Sequence, residues 1–171
     1  MGAAVHLIAG STGAGKTTYA RELAAASGGI RFSIDEWMTA LFWPDAPEPI
    51  DAAWAMERVE RCYARIAQVA FAAARRGVPV ILDLGLTTRA SRARFAAEAR
   101  AEGLEPRLHV LEVPVAERWR RVEARNLQTG PGAQLGFAVT RAMFDYVEGL
   151  WEPPGEAEMA DLQGLLVGGE G

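Results

Sequence analysis

One glycine-rich stretch decides the fold of this chain: Gly10-Ser11-Thr12-Gly13-Ala14-Gly15-Lys16-Thr17-Thr18. It follows an apolar run at residues 5–9 and precedes a helix-forming segment, so it predicts a strand, a tight loop and a helix in succession. Its glycines allow successive backbone N–H groups to turn toward an anion, an approach that larger side chains would block. The spacing is that of a P-loop, which binds the phosphates of a nucleoside triphosphate.

Two side chains of the P-loop have specific predicted roles. Lys16 would reach the β- and γ-phosphates, and the hydroxyl of Thr17 would bind Mg²⁺. The positive N-terminal end of the following helix adds to the attraction for phosphate. The alternative is a glycine-rich turn without a ligand, which the spacing and the flanking strand and helix disfavour. Residues 10–18 are therefore the predicted ATP-binding site.

The composition limits the kinds of protein that this chain can be. Its 171 residues suit a single domain over residues 1–171, and half of them are apolar, as a hydrophobic core requires. The net charge of −4 argues against bulk electrostatic binding of nucleic acid, with a local basic groove as the alternative. Cys62 is the only cysteine, so we expect no internal disulfide and no thiolate metal cluster. Without a signal-peptide pattern or an apolar run of membrane length, a cytoplasmic protein is expected.

Apolar runs and helical periodicities alternate along the chain. Strands are predicted at residues 5–9, 30–34, 78–85 and 107–113, while residues 165–167 either add an edge strand or form no regular structure. Helices are predicted at residues 16–26, 35–43, 51–76, 89–101, 115–126 and 140–149. This order predicts a three-layer α/β domain with a central, mainly parallel five-stranded sheet. The tail, residues 152–171, is expected to be flexible.

Two aspartates stand where predicted strands end. The loops at the carboxyl ends of parallel strands converge on one edge of the sheet, so both should lie near the P-loop. Asp35 is the predicted base that takes a proton from an acceptor hydroxyl, with capping of the next helix as its alternative role. Asp83 has the position of a Walker B carboxylate and is predicted to support Mg²⁺, although such an aspartate is often only a turn former. Leu84 replaces the glutamate that activates water in many motor ATPases, which disfavours a dedicated hydrolase.

Three arginines recur at helical spacing after the fourth predicted strand. Arg118, Arg121 and Arg125 share one helix face, and a glycine-containing segment follows them. A solvated basic face is the usual explanation of such a pattern. The segment that follows makes a lid over residues 118–138 at least as good an explanation, since arginine stabilises charge on a transferred phosphoryl group. Arg118 is accordingly counted among the nucleotide-binding residues.

Taken together, these features resemble the small P-loop kinases. The resemblance covers residues 5–151 and rests on the P-loop, on Ile34-Asp35, on Leu82-Asp83 and on the arginine helix. It is strongest to the predicted-kinase group that includes polynucleotide 5′-hydroxyl kinases, chloramphenicol phosphotransferase and zeta toxin.

That resemblance implies a nucleoside-kinase-like P-loop NTPase fold with an arginine-bearing lid. It also implies transfer of the γ-phosphoryl group of ATP to a hydroxyl, with Mg²⁺. In this group the aspartate after the second strand is the acceptor base, which falls on Asp35. The lid arginines reach the ATP phosphates, a role that falls on Arg121 and Arg125.

The acceptor is less closely defined. Residues 37–43 and 44–54 are predicted to form its wall, because tryptophan rings there offer stacking surfaces and acidic side chains would repel a polyanion. This favours a neutral or amine-bearing small molecule. One alternative is a polynucleotide 5′-hydroxyl on a basic track of Arg89, Arg92 and the lid. Another is a nucleotide-dependent switch without a transfer substrate, whose lid closes on a partner. In each case a monomer or weak dimer without membrane contact is expected.

Overall fold

A parallel sheet forms the centre of the molecule. The structure is a computed structural model that describes residues 3–49, 51–127 and 138–168. The strands are β1 (Val5–Ala9), β2 (Ile30–Ser33), β3 (Val80–Asp83), β4 (Pro106–Leu111) and β5 (Leu165–Val167). They lie in the order β2-β3-β1-β4-β5, and every neighbouring pair is parallel. The predicted five-stranded α/β fold is confirmed.

Helices connect these strands and cover the sheet. They are α1 (Lys16–Ser27), α2 (Ile34–Leu41), α3 (Ala52–Arg75), α4 (Arg89–Ala101), α5 (Val115–Asn126), α6 (Arg141–Leu150) and α7 (Glu156–Asp161), with a 3₁₀ turn at Trp43–Asp45. The bounds of α4 and α5 agree with the sequence prediction, and Thr88 caps α4 by accepting a hydrogen bond from the N–H of Ser91. Helix α7 was not predicted. Within the described chain, no helix combines the length and hydrophobicity that a membrane crossing demands.

The two faces of the sheet bury different sets of side chains. Residues of β1 alternate, so that Leu7 packs with the helices α3 and α4 while Ile8 packs with α1 on the opposite face. All five residues of β1 are buried, as in a central strand covered on both sides. The P-loop therefore leaves the middle of a rigid sheet, which sets its position.

The junction of β2 and α2 differs from the prediction. The strand ends at Ser33 and the helix begins one residue later, so Asp35 lies in the first turn of α2. Ser33 caps the helix by accepting a hydrogen bond from the N–H of Glu36. Asp35 is therefore not the helix cap, and its alternative role is wrong. The sequence Ser33-Ile34-Asp35-Glu36 follows the pattern of a capping box, which could have located this boundary.

The tail is folded up to residue 168. Strand β5 pairs with the edge of β4, and Leu162, between α7 and β5, is 2% exposed. The backbone N–H of Leu108 donates to the carbonyl oxygen of Leu162 at 3.0 Å. Residues 152–168 are thus part of the domain, in contrast to the flexible tail that composition suggested. The last three residues of the predicted tail lie outside the described residues.

Candidate nucleotide-binding and phosphoryl-transfer site

The glycines of the P-loop are required by its close packing. Gly13 has a φ of +79°, and a Cβ atom there would lie 2.5 Å from the backbone oxygen of Arg118 in α5. Gly10 has a φ of +152°, and its Cβ would lie 3.0 Å from the backbone oxygen of Leu111 at the end of β4. Larger residues would push the loop away from both elements. The loop is therefore held against α5 and β4 in a single conformation.

Beside the loop lies a cavity of about 470 Å³ that gathers most of the predicted site residues. Those that line it are Thr12, Gly13, Gly15, Lys16, Thr17, Thr18, Asp35, Asp83 and Arg125. Ser11 and Ala14 line a neighbouring cavity of about 700 Å³ instead. Aspartates from two strand ends thus meet the P-loop at one edge of the sheet, as the parallel arrangement requires.

Lys16 lies between the P-loop and the two aspartates. Its Nζ donates a hydrogen bond to the backbone oxygen of Ser11 at 2.9 Å. Burial lowers the pKa of Lys16, while the charges of Asp83 and Asp35 act in the opposite direction. An ammonium group held beside inward-turning N–H groups is a suitable contact for a phosphate.

Asp35, the predicted base, lines the cavity and has a shifted pKa. Desolvation raises the pKa of Asp35, and the nearby charge of Asp83 raises it further. Lys16 and Arg125 are close enough to oppose this shift. A carboxylate with a raised pKa that lines a cavity is suited to accept a proton.

Asp83 is buried and held by an arginine that the sequence reasoning missed. Nη1 of Arg31, on β2, donates to Oδ2 of Asp83 at 2.8 Å, and the guanidinium also pairs with Glu36. Ser33 lies beside Asp83 in the register of β2 and β3. The ion pair therefore orients Asp83 at the end of its strand. An arginine inside an otherwise apolar strand was the sequence signal for such a buried partner.

Arg125 and Arg121 occupy different positions on α5. Arg125 lines the cavity, and its Nη2 is buried without a hydrogen-bond partner among the described residues. Burial lowers the pKa of Arg125, while Asp35 opposes this effect. Arg121 is exposed, pairs with Glu117 and lines two neighbouring cavities. Residues 128–137 of the predicted lid lie outside the described residues.

Arg118 has contacts that differ from its predicted role. Its guanidinium is buried, pairs with both carboxylate oxygens of Glu148 at 2.6 and 2.7 Å, and donates to the backbone oxygens of Val113 and Thr12. The hydroxyl of Ser11 donates to the same carboxylate at 2.6 Å. Hydrogen bonds from Arg118 lower the pKa of Glu148. These contacts make Arg118 a clamp between α5, α6 and the P-loop, and they do not support its expected contact with the nucleotide.

The aromatic residues that were predicted to form the acceptor wall do not line this cavity. Trp37, Phe42 and Trp43 pack against the core, and the ring of Trp43 lies 6.0 Å from that of Trp54. None of these rings lines the cavity at Lys16, so the prediction of an aromatic wall is wrong for this cavity. The apolar lining of this cavity comes instead from α6, through Met143, Val147 and Leu150, and from Val139, two residues before that helix. Their spacing places them on one helix face, which was a readable signal in the sequence.

The predicted basic track is not formed by Arg92. This side chain is fully buried, pairs with Glu158 through Nε and Nη2 at 2.6 and 3.1 Å, and donates to three backbone oxygens. Arg89 is exposed, at the start of α4. Arg92 therefore stabilises the fold and presents no charge to a nucleic acid.

We compared the chain with protein families, curated proteins and solved structures. A family model with the description "AAA domain" matches residues 5–150. No curated protein has significant sequence similarity to the chain. Three solved structures illustrate the structural likeness.

Kti12 of Chaetomium thermophilum, in complex with ADP-AlF3, has 17% identity over 95% of this chain and 88% of its own, with a TM-score of 0.70. A putative kinase of Chloroflexus aurantiacus has 15% identity over 91% of this chain and 83% of its own, with a TM-score of 0.71. A gluconokinase of Sinorhizobium meliloti has 18% identity over 97% of this chain and 81% of its own, with a TM-score of 0.60. At these identities the likeness shows the fold.

Proposed function

The chain belongs to the AAA domain family and has the P-loop kinase-like fold expected from its motifs, and on this basis we propose that it is an ATP-dependent kinase. It transfers the γ-phosphoryl group to a hydroxyl of a small acceptor. One observation carries the proposal: a single cavity holds the phosphate-binding loop, a carboxyl group with a raised pKa and an arginine whose buried nitrogen has no hydrogen-bond partner among the described residues. Binding, proton removal and charge stabilisation thus meet at one place.

ATP binds with its phosphates in the P-loop. Backbone N–H groups of the loop and the ammonium of Lys16 contact the phosphates, and Arg125 approaches them from α5. Arg121 lines both neighbouring cavities, of about 700 and 490 Å³, and its planar guanidinium can stack on a base there. We therefore assign the nucleoside of ATP to the side of the P-loop on which these two cavities lie.

Thr17 and Asp83 would hold Mg²⁺ together with the ATP phosphates. Within residues 3–49, 51–127 and 138–168, no group of three metal-binding side chains occurs. This donor set fits Mg²⁺, which keeps several waters and takes few protein ligands when phosphates are present. Arg31 occupies Oδ2 of Asp83, which leaves the second oxygen for the metal or its water. When bound, the ion neutralises charge on the β- and γ-phosphates.

Transfer proceeds by in-line attack of the acceptor hydroxyl on the γ-phosphorus. The carboxylate of Asp35 takes the hydroxyl proton as the new O–P bond forms and the bond from phosphorus to the bridging oxygen of ADP breaks. Lys16 and Arg125 stabilise the charge on the phosphoryl oxygens during the step. Leu84, buried directly after Asp83, offers no group to activate water in place of the acceptor.

The test is transfer from γ-labelled ATP to pooled small alcohols and 5′-hydroxyl oligonucleotides. Asp35→Asn should keep its affinity for ATP and lose transfer by about 10²–10⁴-fold, the usual contribution of a positioned base. Lys16→Ala should lose ATP affinity as well as transfer. Asp45→Asn is the matched control, because Asp45 is exposed and does not line the cavity. Unimpaired transfer by Asp35→Asn would contradict the assigned base, and binding of ATP without any labelled product would favour the nucleotide-dependent switch.

A further inference from the structure

The wall contributed by α6 points to the chemical class of the acceptor. On the premise of the kinase function proposed above, we infer that the acceptor is an uncharged alcohol whose apolar ring or chain lies against α6. Its hydroxyl reaches Asp35 while its apolar part contacts the side chains of Met143 and Val147.

The apolar part of the cavity is continuous along one helix face. Met143, Val147 and Leu150 line the cavity from α6, Val139 lines it from two residues before that helix, and Ile34 lines it from α2. Apolar walls with a few convergent polar groups are typical of small-molecule sites, and about 470 Å³ lies in their size range. Thr87, also on the lining, supplies a hydroxyl that can hydrogen-bond to a polar group of the acceptor.

The positive charges of the cavity are already engaged by ATP in the proposed function. Lys16 and Arg125 are the only basic residues on the described lining, and both contact the transferred phosphate. Arg92 and Arg118 are buried in ion pairs with Glu158 and Glu148. An acceptor phosphate or carboxylate would therefore enter a cavity with no cation left to pair with it, at a cost in desolvation.

Residues 128–137, which lie outside the described residues, do not change this balance of charge, because none of them is a charged residue. Two carboxyl groups, Asp35 and Asp83, add negative charge to the cavity and repel an anionic acceptor. A polynucleotide 5′-hydroxyl, which brings a phosphate with each further nucleotide, is disfavoured for the same reason. An uncharged alcohol is therefore the class of acceptor that fits the charges of the cavity lining.

The experiment offers matched pairs of alcohols with γ-labelled ATP. In each pair one member is an uncharged alcohol with an apolar ring, and the other is the same alcohol with a carboxylate or a phosphate on the ring. A 5′-hydroxyl oligonucleotide is included. We expect the uncharged members to be labelled with a KM at least tenfold lower than that of their charged partners.

Substitutions on α6 then locate the acceptor. Val147→Lys and Met143→Lys should raise the KM for uncharged alcohols by about ten- to a hundredfold, the range for lost contacts in an apolar pocket, and leave ATP affinity unchanged. Ala142→Lys is the control, since Ala142 is exposed on the same helix and does not line the cavity. Unchanged ATP affinity and melting temperature show that each variant is folded.

Three outcomes would overturn the inference, and the third differs from the first two in what it says about the proposed function. Preferential labelling of the anionic alcohols or of the oligonucleotide would support the kinase function but contradict the inference that the acceptor is uncharged. A KM that Val147→Lys and Met143→Lys leave unchanged removes the α6 site in the same way. ATP binding with no alcohol labelled removes the kinase function itself, and the inference falls with it.

Discussion

Arg125 and Asp35 form the most informative pair of charged residues in the cavity. A buried guanidinium nitrogen without a partner is rare in folded proteins, because the lost hydrogen bond to water is not replaced. Nη2 of Arg125 is in this position among the described residues, while its charge acts on Asp35. Both features are explained if an anion, the transferred phosphoryl group, completes the site.

We predict that Arg125→Gln lowers kcat by about a hundredfold or more, the usual loss when a group that stabilises transition-state charge is removed. Asp35 acts when ionised, so activity falls on acidification through the pKa of Asp35, which desolvation and the charge of Asp83 hold above that of an ordinary aspartate. The charge of Arg125 lowers the pKa of Asp35. Its removal should therefore move the acid limb of the kcat/KM profile to higher pH.

The control for this prediction is Arg120→Gln. Arg120 lies on the same helix, is exposed and does not line the cavity. It should leave both kcat and the acid limb unchanged. An acid limb that does not move in Arg125→Gln would show that the two side chains are not coupled, and one that moves to lower pH would contradict the predicted sign of the coupling.

At the scale of the elements, Glu148 joins three of them. Its carboxylate accepts hydrogen bonds from Ser11 in the P-loop and from Arg118 on α5, while Glu148 itself lies on α6. The helix that forms the apolar wall is thereby fixed to the loop that binds phosphate.

We predict that Glu148→Ala lowers the free energy of unfolding by about 2 kcal/mol, because Arg118, with 6% of its side chain exposed, is left without its counter-charge. Breaking a fully buried ion pair usually costs more free energy than this. The loss is smaller here because 29% of the Glu148 side chain is exposed to solvent. Urea unfolding measures the change. Asp145→Ala is the control, because Asp145 forms an exposed pair with Arg141 on the same helix. The double variant Arg118→Met/Glu148→Leu should recover much of the loss, and equal losses for Glu148→Ala and Asp145→Ala would contradict the clamp.

Local patterns predicted most of the elements and part of the site. The P-loop is encoded in consecutive residues, and the meeting of Asp35 and Asp83 follows from parallel strands that end at one edge. The pairs Arg31–Asp83 and Arg118–Glu148 join residues 52 and 30 positions apart. No local periodicity encodes such partners, since they depend on how elements pack. For the same reason, helical spacing alone could not show that the contacts of Arg118 differ from those of Arg121 and Arg125.

At the scale of the whole molecule, the C-terminal segment completes the sheet and one face of the core. Strand β5 covers the edge of β4, and Met159 and Leu162 pack against the core. Arg92 on α4 lies at the junction, where Glu158 on α7 neutralises its charge. A composition rich in Pro, Gly and Glu indicates flexibility only if such tertiary contacts are absent.

Removal of this ion pair should destabilise the entire domain. We predict that Glu158→Ala lowers the free energy of unfolding by about 3 kcal/mol, because the guanidinium of Arg92 is fully buried and loses the carboxylate that compensates its desolvation. For a domain of this size the melting temperature should fall by roughly 6–12 °C. Glu156→Ala is the matched control on the same helix, since Glu156 is exposed, and it should change stability by less than about 0.5 kcal/mol. Equal melting temperatures for the two variants would mean that the tail contributes little to the stability of the fold, and the burial of Arg92 would then need a different partner.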